Sequence, residues 1–110
     1  IKIYAVEPDT SAVLSGEPSG PHKLQGIGAG FIPETLDTKI IDKILKISAK
    51  DAYEAGKALP REEGFLVGIS AGAALAAATQ LAKLPENKGK NIVVLLPDSG
   101  DRYLSSEMFA

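Results

Sequence analysis

The chain has no cysteine and only one histidine, His22. Without cysteine there can be no disulfide, no thiolate metal ligand and no cysteine nucleophile, a composition compatible with a reducing cytosol. A single histidine excludes a His-rich metal site. A surplus of one charge is missing too. Twelve Lys and Arg face 14 Asp and Glu, for a net charge of −2, with the two signs interspersed. No basic stripe offers a nucleic-acid footprint, and no Lys/Arg cluster suits an anionic membrane surface. Apolar runs are short as well. Ala71 to Leu84 is apolar but falls below the ~20 residues a bilayer span needs. What is present is a composition of 45% hydrophobic and 24% charged residues over 110 positions. That reads as one small globular domain with a core. The first residue is Ile1, inside strand-like sequence, with no signal-peptide pattern ahead of it. The expectation is a fragment of a longer protein.

Order along the chain gives the fold class. Residues 1–6 are apolar and β-rich and end at the turn signal Glu7-Pro8-Asp9. Residues 8–35 hold half of the glycine and proline, including Gly26-Ile27-Gly28-Ala29-Gly30. A loop this long in a compact domain is commonly functional, and Leu24, Ile27, Phe31 and Ile32 predict that it is packed. Lys43–Ile47 reads as a short strand. Ser48 is a good N-cap, with Asp51 three residues on in the manner of a capping box. The helix it starts carries an apolar stripe of Ala52, Ala55 and Leu59. Pro60 is expected to end or kink it, and Gly64 to close the turn. Phe65-Leu66-Val67 reads as a buried strand, and a second helix should run from Ala73 to about Leu84, opened by Ser70 or Gly72. Asn91 to Leu96 is the clearest strand signal, a continuous apolar run of the kind covered on both faces. The expected class is α/β, a mostly parallel sheet with flanking helices. Ligands in such sheets sit outside the carboxyl ends of the strands, here Glu7-Pro8, Gly68-Ile69-Ser70 and Pro97-Asp98-Ser99.

Two glycine motifs carry possible chemistry. Gly68-Ile69-Ser70-Ala71-Gly72 fits the nucleophile-elbow pattern and lies between a predicted strand and helix. An elbow serine needs a histidine after it, and His22 precedes it. The plain structural reading is a tight turn with close packing. In a third reading the Ser70 hydroxyl hydrogen-bonds a ligand heteroatom, such as an unprotonated ring nitrogen. The second motif, Gly26 to Gly30, is not a dinucleotide fingerprint, because Phe31 occupies the last glycine position and no strand leads into it. Its alternating glycines supply close backbone approach and free N–H groups instead. From position alone, His22 and Lys23 are expected as a surface pair. Asp98, Asp101 and Arg102 could form a local ion pair or edge a site, while Tyr103 and Phe109 read as packing residues.

Three segments in register carry a resemblance: Pro21-His-Lys-Leu-Gln-Gly-Ile-Gly-Ala-Gly-Phe-Ile-Pro33, Gly68-Ile-Ser-Ala-Gly-Ala-Ala74 and Leu96-Pro-Asp-Ser-Gly-Asp-Arg-Tyr-Leu104. With Val6-Glu-Pro8, Leu14-Ser-Gly16, Leu84-Pro-Glu-Asn87 and Gly89-Lys90 between them, essentially the whole chain resembles the C-terminal third of the cysteine synthase (O-acetylserine sulfhydrylase) family. The resemblance implies a fold-type II, tryptophan synthase β-like enzyme dependent on pyridoxal 5'-phosphate (PLP). Residues 1–110 would be the C-terminal part of its large PLP-binding domain. The parent would make L-cysteine from O-acetylserine and sulfide by β-replacement. The resemblance matches Ser70 to the serine that bonds the PLP pyridine nitrogen, with Gly68, Asp98 and Ser99 around it as cofactor-binding residues. It matches Gln25, Gly26 and Gly28 to the substrate side of the pocket. Departures are Ala71, where the family has a second serine, and Pro60, where it has alanine. The family's Schiff-base lysine, substrate-carboxylate loop and phosphate cup all lie N-terminal to the matching segment, and no lysine here has the cofactor-lysine context. No catalytic residue and no metal site is therefore expected in this chain. The resemblance further implies a cytoplasmic homodimer and a possible complex with serine acetyltransferase. The alternatives are a cystathionine β-synthase-like PLP enzyme, a serine hydrolase built on Ser70, and a non-catalytic α/β module binding through the 8–35 loop.

Overall fold

The computed structural model describes residues 1–110. Two strands, β1 (Tyr4–Pro8) and β2 (Lys43–Ile47), form a two-stranded parallel sheet in register from Tyr4↔Lys43 to Pro8↔Ile47. Asp9 N–H extends the ladder to the Ile47 carbonyl at 3.1 Å. β1 runs two residues further than the apolar run suggests. Its last two residues, Glu7 and Pro8, are buried. Pro8 costs the ladder one donor, which is tolerable at a strand end.

Helix α1 (Ala49–Glu63) starts as its sequence predicts. The Ser48 hydroxyl accepts from the Asp51 N–H at 3.0 Å, satisfying one of the donors a helix start leaves free. Pro60 neither ends nor breaks α1. The helix continues to Glu63 and closes on Gly64, whose φ of +80° is the left-handed cap glycine allows. Pro60 sits in the last turn, so its missing N–H removes only one bond near the helix end. Helix α2 (Ile69–Ala82) starts earlier than expected, on Gly68 as N-cap, and so takes in the whole Gly-x-Ser-x-Gly motif.

The two helices cross closely. A methyl group at Gly72 would lie 2.3 Å from the Ala52 carbonyl oxygen and 3.2 Å from the Gly56 nitrogen. The glycine is what lets the two backbones meet. Leu24, Ile47, Ala52, Ile69, Ala73, Ala76, Ala77 and Met108 form the core under this crossing. Four of the eight are alanine, which suits the short separation of the helices.

Two expected strands are absent. Residues 65–67 contribute only one antiparallel bridge, Val67 to Ser99, and Phe65 is 66% exposed. Residues 91–96 are in no strand, with Val93 93% and Leu95 80% exposed. Both segments have strand composition, but residues 65–67 pair only with the 98–100 turn and residues 91–96 have no strand beside them in this chain. Residues 91–95, β1 and one face of α2 instead line an open apolar groove of about 660 Å³.

The 8–35 loop is folded, as its apolar content predicts. Glu7, 3% exposed, accepts from the Leu14 and Ser15 N–H groups and the Ser15 hydroxyl at 2.6–3.0 Å. The Ser11 hydroxyl accepts from Gly20 N–H at 3.2 Å, and the Thr10 hydroxyl donates to the Pro21 carbonyl at 2.9 Å. Leu24 is buried and Ile27 packs on the core, whereas Phe31 and Ile32 are exposed.

Candidate functional site

The carboxyl end of β1, the glycine loop, the start of α2 and the 97–100 turn converge. Ser70 is the second residue of α2 and is buried. Its hydroxyl takes part in no hydrogen bond within the chain. The first N–H groups of α2 also lack partners inside the helix, so this end carries partial positive charge. Opposite it stands Gly26, 44 residues earlier in sequence. A methyl group on Gly26 would sit 3.3 Å from Ser70 Oγ and 3.5 Å from its Cβ. The space beside the hydroxyl exists because Gly26 has no side chain, and its φ of +99° is open to glycine alone at little cost.

Gly68 and Asp98 are in contact on the other side. A methyl group at Gly68 would collide with the Asp98 carboxylate, 2.1 Å from Oδ1. Gly68 N–H donates to the Asp98 carbonyl at 3.2 Å and Gly100 N–H to the Leu66 carbonyl at 3.1 Å. The Tyr103 hydroxyl donates to Asp98 Oδ2 at 2.9 Å, while Oδ1 is buried and unpaired. Gly68 caps α2 without a side-chain oxygen. The Asp98 carboxylate supplies negative charge at that helix end instead, which the helix dipole favours. The hydrogen bond to Asp98 holds the Tyr103 phenol above its ordinary pKa, with burial adding to the effect.

Not every expected residue joins this cluster. Ser99 pairs with Val67 through its backbone, but its hydroxyl donates to Asp101 Oδ1 at 3.1 Å. Gln25 is exposed. Gly28 faces Pro8 and His22 rather than Ser70. Asp98, Asp101 and Arg102 form no ion pair. The two ion pairs are Lys23–Glu107 at 2.8 Å and Lys46–Glu17, each holding its lysine above the ordinary pKa through the hydrogen bond.

Two residues have more specific partners than their sequence positions suggest. His22 is not a surface residue paired with Lys23. Its ring is half-buried and bonded to backbone on both sides, at Leu24 N and Gly28 O. Lys23 points out to Glu107. With both ring nitrogens committed, His22 leaves Ser70 without a hydrogen-bonded base. Tyr103 is a donor to Asp98 as well as a packing residue. The available signals were local: a ring acceptor two residues before its donor, and a tyrosine one turn after Gly100. No group of three or more His, Asp or Glu side chains is placed to hold a metal, and no helix is long and apolar enough to cross a membrane.

The geometry gives a free hydroxyl at a helix start, bordered by Gly26, where a Cβ would crowd it, with Gly68 and Asp98 in contact beside the same helix start. The family model for "Pyridoxal-phosphate dependent enzyme" matches residues 1–98. The chain belongs to the pyridoxal-phosphate-dependent enzyme family. Among individual members, the cysteine synthase of Staphylococcus aureus is 53% identical over all 110 residues, which cover 35% of that protein. The crystal structure of cysteine synthase (OASS) from Entamoeba histolytica superposes with a TM-score of 0.97 at 47% identity, covering 99% of this chain and 32% of that one. The O-acetylserine-dependent cystathionine beta-synthase from Helicobacter pylori superposes at 0.83 and 39% identity, covering 100% and 35%. The chain thus spans about a third of the length of the PLP-family members it matches. The α/β architecture is that of the fold-type II PLP enzymes.

The residues at hand fit one end of a PLP-family cofactor. A hydroxyl can donate to an unprotonated ring nitrogen, and the bare Cα of Gly26 leaves space beside it, while the space at Gly68 is taken by the Asp98 carboxylate.

Proposed function

We propose that this chain is part of a PLP-dependent cysteine synthase, which makes L-cysteine from O-acetyl-L-serine and sulfide. One observation carries the reading. The Ser70 hydroxyl, unbonded within the chain, stands at the start of α2 beside the bare Cα of Gly26. The identity of 53% to a cysteine synthase across all 110 residues supports the choice of substrates. Residues 1–110 are the C-terminal part of the large cofactor-binding domain, and the rest of that domain covers the groove between β1, α2 and residues 91–95.

Ser70, Gly68, Asp98 and Ser99 form the ring-nitrogen end of the cofactor site. When bound, PLP supplies the electron sink for loss of the β-substituent. Ser70 keeps its own proton and donates it in a hydrogen bond, so the ring nitrogen beside it stays uncharged. A carboxylate in its place would favour a protonated ring. Gly68 and Asp98 fix the turn that aims Ser70, and Ser99 contributes its backbone, since its hydroxyl is already committed to Asp101. On the substrate side Gly26 leaves room for the amino acid, Gly28 shapes the loop, and Gln25 is exposed and unpaired, free to meet a polar group. The Schiff-base lysine belongs to the remainder of the parent. The parent is expected to work as a cytoplasmic homodimer, with serine acetyltransferase as a partner.

A second reading is favoured by the likeness to an O-acetylserine-dependent cystathionine beta-synthase. Both readings are tested by giving the purified full-length parent O-acetylserine with either sulfide or homocysteine. Faster formation of cysteine supports the first, and faster formation of cystathionine the second. Neither product would overturn both. Ser70→Asp is expected to lower turnover far more than Ser70→Ala, because only the former introduces a charge that holds a proton on the ring.

A further inference from the structure

His22 makes two backbone hydrogen bonds. Its Nδ1 lies 3.1 Å from the Leu24 nitrogen, and its Nε2 lies 2.7 Å from the Gly28 oxygen. A backbone N–H only donates and a carbonyl only accepts. Nδ1 must therefore present a lone pair and Nε2 a hydrogen. One protonation state, the neutral Nε2–H tautomer, makes both bonds. The imidazolium would turn a donor toward the Leu24 N–H.

The two partners bracket Gln25, Gly26 and Ile27. At one end of the bracket Leu24 is 1% exposed and anchored in the core, and the Tyr53 hydroxyl ties the neighbouring Lys23 carbonyl to α1 at 3.1 Å. At the other end Gly28, with φ of +65°, is wedged. A methyl group there would lie 2.5 Å from Pro8 Cγ and 2.7 Å from His22 Nε2. The imidazole thus closes a short loop against the end of β1, and the middle of that loop is Gly26, which faces Ser70.

We propose that His22 is a positioning residue: as the neutral Nε2–H tautomer it ties Leu24 to Gly28 and so holds Gln25–Ile27 against Ser70. The tie stands on the structure of this chain, and its effect on substrate rests on the cysteine synthase reading. Three variants of the full-length enzyme separate its parts. His22→Phe keeps a ring but makes neither bond. His22→Asn places an oxygen near the Nδ1 position and keeps the Leu24 acceptor. His22→Gln reaches the Nε2 position and keeps the Gly28 donor.

The first readout is amide hydrogen exchange at Leu24 in the cofactor-free protein, where His22→Phe is expected to speed exchange about tenfold and His22→Asn to restore most of the protection. The second is steady-state kinetics. His22→Phe is expected to raise KM for O-acetylserine about tenfold with kcat within about threefold, and Asn and Gln to fall between Phe and wild type. Wild-type exchange and KM in His22→Phe would overturn the proposal. His22→Phe at wild-type values beside impaired Asn and Gln would overturn it too, since ring volume alone would then be the requirement. If His22→Phe does not fold, Asn and Gln decide: a KM raised about threefold supports the tie, and an unchanged KM contradicts it. If the parent proves to bind no PLP, the functional reading fails, while Leu24 exchange still decides whether the tie exists.

Discussion

At the scale of single residues, the site is one hydroxyl beside the bare Cα of Gly26, with Gly68 giving way to the Asp98 carboxylate at the same helix start. Gly26→Ala would put a methyl group 3.3 Å from Ser70 Oγ on a backbone at φ +99°, a conformation costing ~1–3 kcal/mol for a residue with a Cβ. The expected outcome in the parent is an affinity for O-acetylserine lowered about tenfold or more, read by substrate titration of cofactor absorbance. Tyr103 makes a pH prediction. Its phenol donates to Asp98, so its pKa in the folded state is raised above the ordinary ~10. The stability this gives is fully present below the unfolded pKa and is lost as pH rises through the folded one. Urea midpoints of the wild type should therefore converge on those of Tyr103→Phe above about pH 10. A gap that stays constant to higher pH would contradict the bond. Ser70, Gly26, Gly28 and Asp98 stand out in the sequence because their motifs are local strings. That Gly26 touches Ser70 does not, since contact across 44 positions is a property of the fold. His22 was misread for a related reason: a lone loop histidine gives no sign of which way its ring turns, and here it turns inward onto backbone.

At the scale of elements, the α1–α2 crossing sets where Ser70 points. Gly72→Ala would drive a methyl group into the Ala52 carbonyl, 2.3 Å away. Backbone cannot yield as a side chain does, so a loss of ~2–3 kcal/mol in unfolding free energy is expected, measured by urea denaturation of the parent. An unchanged midpoint would mean that the helices can separate without cost. The start of α1 at Ser48, its end at Gly64 and the extent of β2 were all legible, because caps and short apolar runs act within a few residues. Residues 65–67 and 91–96 were not, although 91–96 carries the clearest strand pattern. A strand exists only with a neighbour, and within this chain only Ser99 offers one residue of pairing. Pro60 does not end α1, because in a last turn the missing N–H matters little.

At the scale of the whole molecule, the chain covers 35% of a cysteine synthase it resembles at 53% identity. It exposes Val93 and Leu95 beside a groove of about 660 Å³. Such a surface needs a cover. The 110-residue piece by itself is expected to form no cysteine and to bind PLP weakly or not at all. Turnover by this piece would contradict the proposal that the Schiff-base lysine lies outside it. The fold class was legible from element order, and the family from three motifs in register, while the pairing of residues 91–96 was not, since no strand of this chain lies beside them. The central claim is that Ser70 and the Gln25–Gly28 loop form one end of a PLP site that acts on O-acetylserine. The visible absorption of the purified full-length parent tests it most directly. The account predicts a yellow protein whose spectrum shifts on adding O-acetylserine. A colourless protein that PLP cannot reconstitute would contradict it.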